Sequence, residues 1–391
     1  MPSQTLHKLS SSHSKYKETL EKLLEGTEIK INGDNLWDIQ VVNSEVYERV
    51  LYEGNLGLGE SYMDGWWKCH SIDQFVDKLS RANIYEKLKE NSLFKNPSFK
   101  LFSFFDFLKY RLTNPQKLKK AFSIGKKHYD IGNELFYYML DSRMVYSCGY
   151  WKNAKNLNEA QESKLELSCK KINLQDGLHI LDVGCGFGSF LKYTAEKHEV
   201  FGLGVTVSKE QKKLADNLCE NLPIEIKLQD YREVSGKFDR IISIGMFEHV
   251  GAKNYRIFMK KVHDLLKDDG LFLLHTIGKN KPGPENQWIN KYIFPNSHIP
   301  TISEISESFE GIFVLEDLHN FGADYDKTLM AWNKNFQKNW HKLNDRYDEK
   351  FKRMWEYYLL SCAGAFRARA LQLWQIIFSK KGVPGGYESI R

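Results

Sequence analysis

The sequence contains no uncharged apolar run approaching the roughly 18–20 residues that a membrane-spanning helix requires, which excludes such a span. Its first residues, MPSQTLHKLSSSHSKYKETLEK, hold no apolar signal core, so export is not expected. The six cysteines (69, 148, 169, 185, 219 and 362) include no CxxC pair. That argues against a disulfide framework, a zinc finger or another metal site, and for free thiols in a reducing cytoplasm. No internal repeat or low-complexity tract is evident. Net charge is only +6, from 56 basic and 50 acidic residues, too little to imply a nucleic-acid partner. What remains is an ordinary globular composition, 42% hydrophobic and 27% charged over 391 residues. At about 150 residues per domain, that length suggests two or three domains.

The charge is unevenly placed. Residues 1–90 carry 11 basic and 15 acidic residues, a net of −4. Residues 91–130 carry 9 basic and 2 acidic, a net of +7. Aromatics, 14% of the chain, cluster in that basic segment and near the C-terminus. Cations interleaved with rings suit a lipid surface. They equally suit single-stranded nucleic acid, or a linker with a few core aromatics.

Residues 14–90 read as a small mixed α/β unit. Helices are expected over 14–26, 46–54 and 72–82. A hairpin around Asn32-Gly33 is expected to join 29–31 to 39–42. Residues 91–127 mark a boundary, read either as an interfacial helix or as a helix packed between domains. The domains are therefore drawn at 1–95, at 96–120 for the basic aromatic linker, and at 121–391. From about 173 the pattern alternates: strands at 179–183, 200–205, 224–228, 240–244 and 271–275, with helices at 189–196, 210–220 and 254–266 between them. Strands separated by helices imply a parallel sheet. Residues 329–378 read as long helices.

The sharpest local signal is Ile180-Leu-Asp182-Val-Gly184-Cys185-Gly186-Phe-Gly188-Ser189, a strand running into a glycine loop that opens a helix. Glycines allow positive φ and close backbone approach to a ligand. The helix start offers unpaired N–H groups. A dinucleotide site asks for G-x-G-x-x-G; here the spacing is G-x-G-x-G with an acidic residue two positions earlier. That form resembles the first motif of the S-adenosylmethionine (SAM) methyltransferases. The expected fold is thus an α/β, Rossmann-like seven-stranded sheet preceded by a small α+β domain. Where such enzymes place a ribose-holding carboxylate after the second strand, this chain has Thr206, Val207, Ser208 and Gln211. Asp230 and Tyr231, after the third strand, suit an adenine amino group and ring face. The pocket is expected to involve Tyr146, Ser147, Asp182, Gly184, Cys185, Gly186, Thr206, Gln211, Asp230 and Tyr231. Glu248 and His275 each follow a strand, and ligand sites in open α/β sheets lie outside the carboxyl ends of strands.

Eight segments carry a closer resemblance: Gly57-Leu-Gly-Glu-Ser-Tyr-Met-Asp-Gly-Trp-Trp67, Tyr146-Ser-Cys148, Leu181-Asp-Val-Gly-Cys-Gly186, Met246-Phe-Glu-His-Val-Gly251, Leu274-His-Thr-Ile-Gly278, Trp288-Ile-Asn-Lys-Tyr-Ile-Phe-Pro295, His319-Asn-Phe-Gly-Ala-Asp-Tyr-Asp326 and Cys362-Ala-Gly-Ala-Phe-Arg-Ala-Arg369. Over essentially its whole length the chain resembles the bacterial cyclopropane-fatty-acyl-phospholipid synthases. The shorter mycolic-acid enzymes lack the first domain.

The resemblance implies SAM and a bicarbonate ion as cofactors, unsaturated phospholipid as acceptor, and a homodimer on the inner face of the membrane. It also implies a lipid-interacting N-terminal domain. Bicarbonate ligands carry over to Cys148, Glu248, His275, the backbone at Ile277, and Tyr325. In that picture His275, Tyr325 and the Ile277 amide donate to the ion, and Glu248 accepts its proton. Three other readings stay open: a SAM enzyme that methylates acyl chains without closing a ring, an idle lipid-binding protein, and a nucleic-acid methyltransferase. The last lacks the Asn/Asp-Pro-Pro-Tyr motif.

Overall fold

A computed structural model of the chain describes residues 3–82, 84, 87 and 132–391. The basic aromatic stretch at 96–120 lies outside the described residues. The chain divides into two compact units. One comprises Met1–Thr113, Pro284–Ile293 and Trp340–Ala370; the other comprises Asn114–Gly283, Phe294–Asn339 and Leu371–Arg391.

The first unit is therefore not the contiguous block drawn from sequence. Segments 284–293 and 340–370, placed in the catalytic domain, join it because their aromatics complete its core. Trp288, Trp355, Tyr357 and Tyr358 are all buried. Tyr62 donates to Glu356 at 2.8 Å, and Arg353 Nη2 donates to the Trp67 carbonyl at 2.9 Å. Trp67 packs on Tyr62, Phe75 and Tyr357. Among the described residues its helices are Ser3–Leu24, Val46–Glu53, Asn55–Met63, Ile72–Arg81, Gln287–Tyr292 and Glu349–Arg367. Gly54, at φ +55°, breaks the second helix from the third, which then runs through Gly57 and Gly59. Gly59 is required there: a Cβ would collide with the Trp288 indole.

The expected hairpin does not form. Strand β1 (Gln40–Val41) pairs antiparallel with β2 (Trp67–Lys68), and Ile31 makes only an isolated parallel bridge to Ile39. Side chains explain this. Asp38 accepts the amides of Lys30 at 2.7 Å and Asn35 at 2.9 Å, and Asn32 accepts that of Val41 at 2.8 Å. These local bonds replace a hairpin ladder.

The second unit is built on a seven-stranded sheet: β3 (His179–Val183), β4 (Phe201–Thr206), β5 (Ile224–Leu228), β6 (Phe238–Ile244), β7 (Leu266–Lys279), β8 (Val314–Asn320) and β9 (Leu371–Ser379). Their order is β5-β4-β3-β6-β7-β9-β8. All neighbours are parallel except β9, which runs antiparallel to both β7 and β8. The five strands expected from sequence are present. The end of the 329–378 segment is not helical: helices Ala323–Asn339 and Glu349–Arg367 give way to β9. That strand is buried nearly throughout between two neighbours. A strand buried on both faces loses the alternation that would mark it.

Candidate active site

At the carboxyl end of β3 the chain turns through Gly184, Cys185, Gly186 and Gly188 before the helix Ser189–Lys197. Gly184, Gly186 and Gly188 have φ of +85°, +56° and +78°. A Cβ on Gly184 would lie 2.6 Å from Met246 Cγ, so only glycine fits. The amides of Gly184 and Cys185 both donate to the Val205 carbonyl, at 3.0 and 3.1 Å, fixing the loop against β4. One cavity opens above it. All ten residues named from sequence for the SAM pocket line that cavity, from Tyr146 and Ser147 through Asp182, Gly184, Cys185 and Gly186 to Thr206, Gln211, Asp230 and Tyr231.

Thr206, Gln211 and Asp230 are engaged with other side chains. Thr206 Oγ1 donates to Gln211 Oε1 at 2.7 Å, so these two form one hydrogen-bonded unit. Asp230 is held within its own turn. Arg232 Nε and Nη2 grip its two oxygens at 2.7 Å each, and the Arg232 amide adds a third bond at 3.0 Å. A guanidinium two residues away offers a bidentate fit to the carboxylate.

Lys164 also lines the cavity and was missed by sequence reasoning. Its helix, Leu157–Lys171, buries Gln161, Lys164, Ser168 and Lys171, a polar stripe at helical spacing. Gln161 Nε2 donates to the Ser147 carbonyl at 2.7 Å and Lys164 Nζ donates to Ser147 Oγ at 3.0 Å. The two side chains thereby clamp the segment between Tyr146 and Cys148. Burial pushes Lys164 down to about 8, against the pull of Asp141 and other acidic groups nearby. Asp182 is pushed up to about 7 by burial, opposed by Lys164. Its Oδ1 has no hydrogen-bond partner.

Beyond this pocket, the five residues named as catalytic fall in one neighbourhood. Cys148 is fully buried and packs with Phe321 and Leu373, against which Tyr150, Ile277 and Tyr325 also rest. The His275 ring meets Phe321 edge-on at 5.7 Å. Glu248, on the turn after β6, accepts the Ile277 amide through Oε1 at 2.7 Å. That amide, expected to face an anion, is thus committed to Glu248. The Cys148 Sγ–H donates to the Gly149 carbonyl at 3.2 Å, and burial raises its pKa far above the usual thiol range. The sulfur is therefore held as a protonated thiol. Burial raises Glu248 to about 7, with the Ile277 amide opposing. Burial, with Lys164 and Lys171 adding to it, holds His275 well below its ordinary range. Two buried atoms here lack any partner: Glu248 Oε2 and His275 Nε2.

Thr328 and Asp324 are further supports that sequence reasoning missed. Thr328 Oγ1 accepts from the Gly149 amide at 3.1 Å and from Trp151 Nε1 at 2.9 Å; Asp324 accepts the Trp151 amide at 2.8 Å. Such bonds from helix Ala323–Asn339 to the Cys148 segment leave no local sequence signal.

Comparison with known proteins places this geometry. A family model described as mycolic acid cyclopropane synthetase matches residues 116–376. The chain is 48% identical over 395 residues to cyclopropane-fatty-acyl-phospholipid synthase of Escherichia coli (strain K12), with 100% of both proteins covered. It is 31% identical over 295 residues to cyclopropane mycolic acid synthase 2 of Mycobacterium tuberculosis (strain CDC 1551 / Oshkosh), covering 68% of this chain and 98% of that one. A solved mycolic acid cyclopropane synthase complexed with SAH and CTAB matches with a TM-score of 0.63 at 31% identity, over 66% of this chain and 98% of the other.

Proposed function

The chain belongs to the mycolic acid cyclopropane synthetase family, and from that premise we propose that it is a cyclopropane-fatty-acyl-phospholipid synthase. It carries a methylene from SAM across the cis double bond of unsaturated phospholipid acyl chains. The observation that best supports this reading is the pair of partnerless atoms, Glu248 Oε2 and His275 Nε2, buried in the group that holds Cys148, Ile277 and Tyr325.

When bound, SAM supplies a methyl electrophile: the S–CH3 bond breaks with its pair left on sulfur, the alkene π pair forms a new C–C bond, and the resulting cation loses a methyl proton as the C–H pair closes the ring. The glycine loop leaves room for close backbone approach to this cofactor. Tyr146 packs between Phe136, at 5.0 Å, and Trp332, at 5.2 Å, and these rings present apolar faces at the pocket wall. Excluding water matters because it would trap the cation as an alcohol. Aromatic faces also tolerate a transient positive charge.

A carboxylate in direct contact with the cation could collapse onto it, and the family resemblance implies a bicarbonate ion as the base instead. Bicarbonate, when bound, supplies a proton acceptor that does not stay attached to the lipid. Glu248 Oε2 fits as the acceptor of that ion's hydroxyl proton, and His275 Nε2 as a donor to its oxygens. Ile277 acts on the site through Glu248, and Tyr325 completes the wall.

In the same reading the basic, aromatic stretch at 91–130 brings the enzyme to the membrane surface, residues 1–95 contribute lipid contact, and the enzyme works as a homodimer. No helix among the described residues is long and apolar enough to cross a membrane. The test is incubation of the full chain with SAM and vesicles of cis-monounsaturated phospholipid, followed by gas chromatography of the released fatty acid methyl esters against a cyclopropane standard. A cyclopropane ester is expected. Confirmed SAM binding without an acyl product would overturn the reading.

A further inference from the structure

His275 and Gln375 are direct partners across the antiparallel β7–β9 ladder. Their side chains meet: Gln375 Nε2 lies 3.2 Å from His275 Nδ1. The same amide nitrogen lies 3.1 Å from Ser168 Oγ. All three residues are buried, with Gln375 and Ser168 fully inaccessible.

The direction of each bond follows from counting protons. Ser168 spends its one hydroxyl proton on the Lys164 carbonyl, at 2.8 Å one turn back in its helix. Its oxygen can then only accept. Gln375 Nε2 carries two hydrogens, and the two acceptors within reach are Ser168 Oγ and His275 Nδ1. A ring nitrogen that accepts has no proton of its own. The imidazole proton therefore sits on Nε2, the atom left without a partner in the site. Burial, with the cations Lys164 and Lys171 adding to it, opposes a second proton on the ring.

We propose that Gln375, backed by Ser168, is a positioning residue that holds His275 as its Nε2–H tautomer and so makes it a fixed hydrogen-bond donor towards the reaction centre. The inference rests on the role for His275 proposed above. It adds the device that sets the role. Had the amide been the other way round, Gln375 Oε1 would draw the proton to Nδ1, and Nε2 would become an acceptor. The two arrangements have opposite polarity at the atom that matters.

The tautomer is measured on the full-length protein with nitrogen-labelled histidine, by long-range proton–nitrogen correlation, the His275 signals being identified by their loss in His275→Gln. The expected wild-type pattern is an unprotonated Nδ1 and a protonated Nε2. A protonated Nδ1 overturns the proposal without any variant having to fold. In the second arm, Gln375→Glu keeps the side-chain length but presents only acceptors. It should move the proton to Nδ1 and lower kcat by about a hundredfold or more, as expected for a misplaced proton-handling group. KM for SAM should stay unchanged. Gln375→Glu with wild-type kcat also overturns the proposal. Ser168→Ala should fall in the same direction, and Ser168→Thr, which keeps the hydroxyl, should restore turnover. If wild-type protein shows the Nε2–H tautomer but makes no cyclopropane product, the proposed function fails, not the positioning.

Discussion

Glu248 Oε1 accepts the backbone amide of Ile277 at 2.7 Å, while its other oxygen, Oε2, is buried without a partner. The Ile277 amide, with further hydrogen bonds from the Thr276 side chain and from Glu248's own amide, thus orients the carboxyl. The amide that anchors it comes from β7, two residues beyond His275. A single strand thereby sets both polar groups of the inner site.

Glu248→Gln keeps the shape and removes the acceptor character of one oxygen. Turnover should fall by about two orders of magnitude or more, as for loss of a positioned proton-transfer group. SAM affinity, read by calorimetry, should not change. Turnover close to wild type would take Glu248 out of the mechanism.

The pH dependence has a definite sign. Glu248 sits near 7, raised by burial, and must be ionised to accept a proton. The rate should therefore climb as pH rises through about 7, seen as an acidic limb in kcat/KM. Stability runs the other way for a raised carboxyl. The contribution of Asp182 is full below the ordinary carboxylate range and is lost as pH rises through about 7. Asp182→Asn should therefore gain in urea midpoint relative to wild type between pH 5 and pH 8. A midpoint difference that is flat with pH would contradict the buried-carboxyl assignment.

Lys164→Met removes the bond to Ser147 and the cation that offsets Asp182. Breaking a buried charge arrangement by removing one partner should cost on the order of 3 kcal/mol in unfolding free energy. The loosened Tyr146–Cys148 segment should weaken SAM binding as well. Unchanged calorimetric affinity would show that Lys164 does not hold the pocket.

Gly59→Ala tests the unexpected makeup of the first unit. A Cβ there meets the Trp288 ring, 229 residues further along the chain. Overpacking of this kind typically costs about 1–3 kcal/mol, read as a lowered thermal midpoint. No change would mean that Trp288 is not seated against this helix.

The parts of this protein legible in its sequence are those governed by local pattern. The run Asp182–Ser189 announces strand, loop and helix because glycine conformation and helix starts leave local marks. The five central strands are visible for the same reason. Most of what stayed hidden depends on distant partners. β9 reads as helix because both its faces are covered. The Asn32-Gly33 hairpin reads plausibly until Asp38 and Asn32 take the backbone amides. The buried stripe Gln161, Lys164, Ser168 and Lys171 has the spacing of an ordinary solvated helix face. Only the bonds to Ser147 and Gln375 reveal it as interior. Glu248 could be placed by its position after β6, but His275, expected just past its strand, lies inside β7, which runs on to Lys279 because β9 pairs along it. The commitment of the Ile277 amide to Glu248 was equally hidden.

The central claim is that ring closure, not simple methylation, follows transfer to the acyl chain. It is tested most directly by supplying the purified chain with SAM labelled at the methyl carbon, together with cis-monounsaturated phospholipid vesicles, and recording the carbon NMR spectrum of the extracted lipid. The account predicts that the label appears as a cyclopropane methylene. A label found in a methyl branch or an exocyclic vinylidene carbon would contradict it.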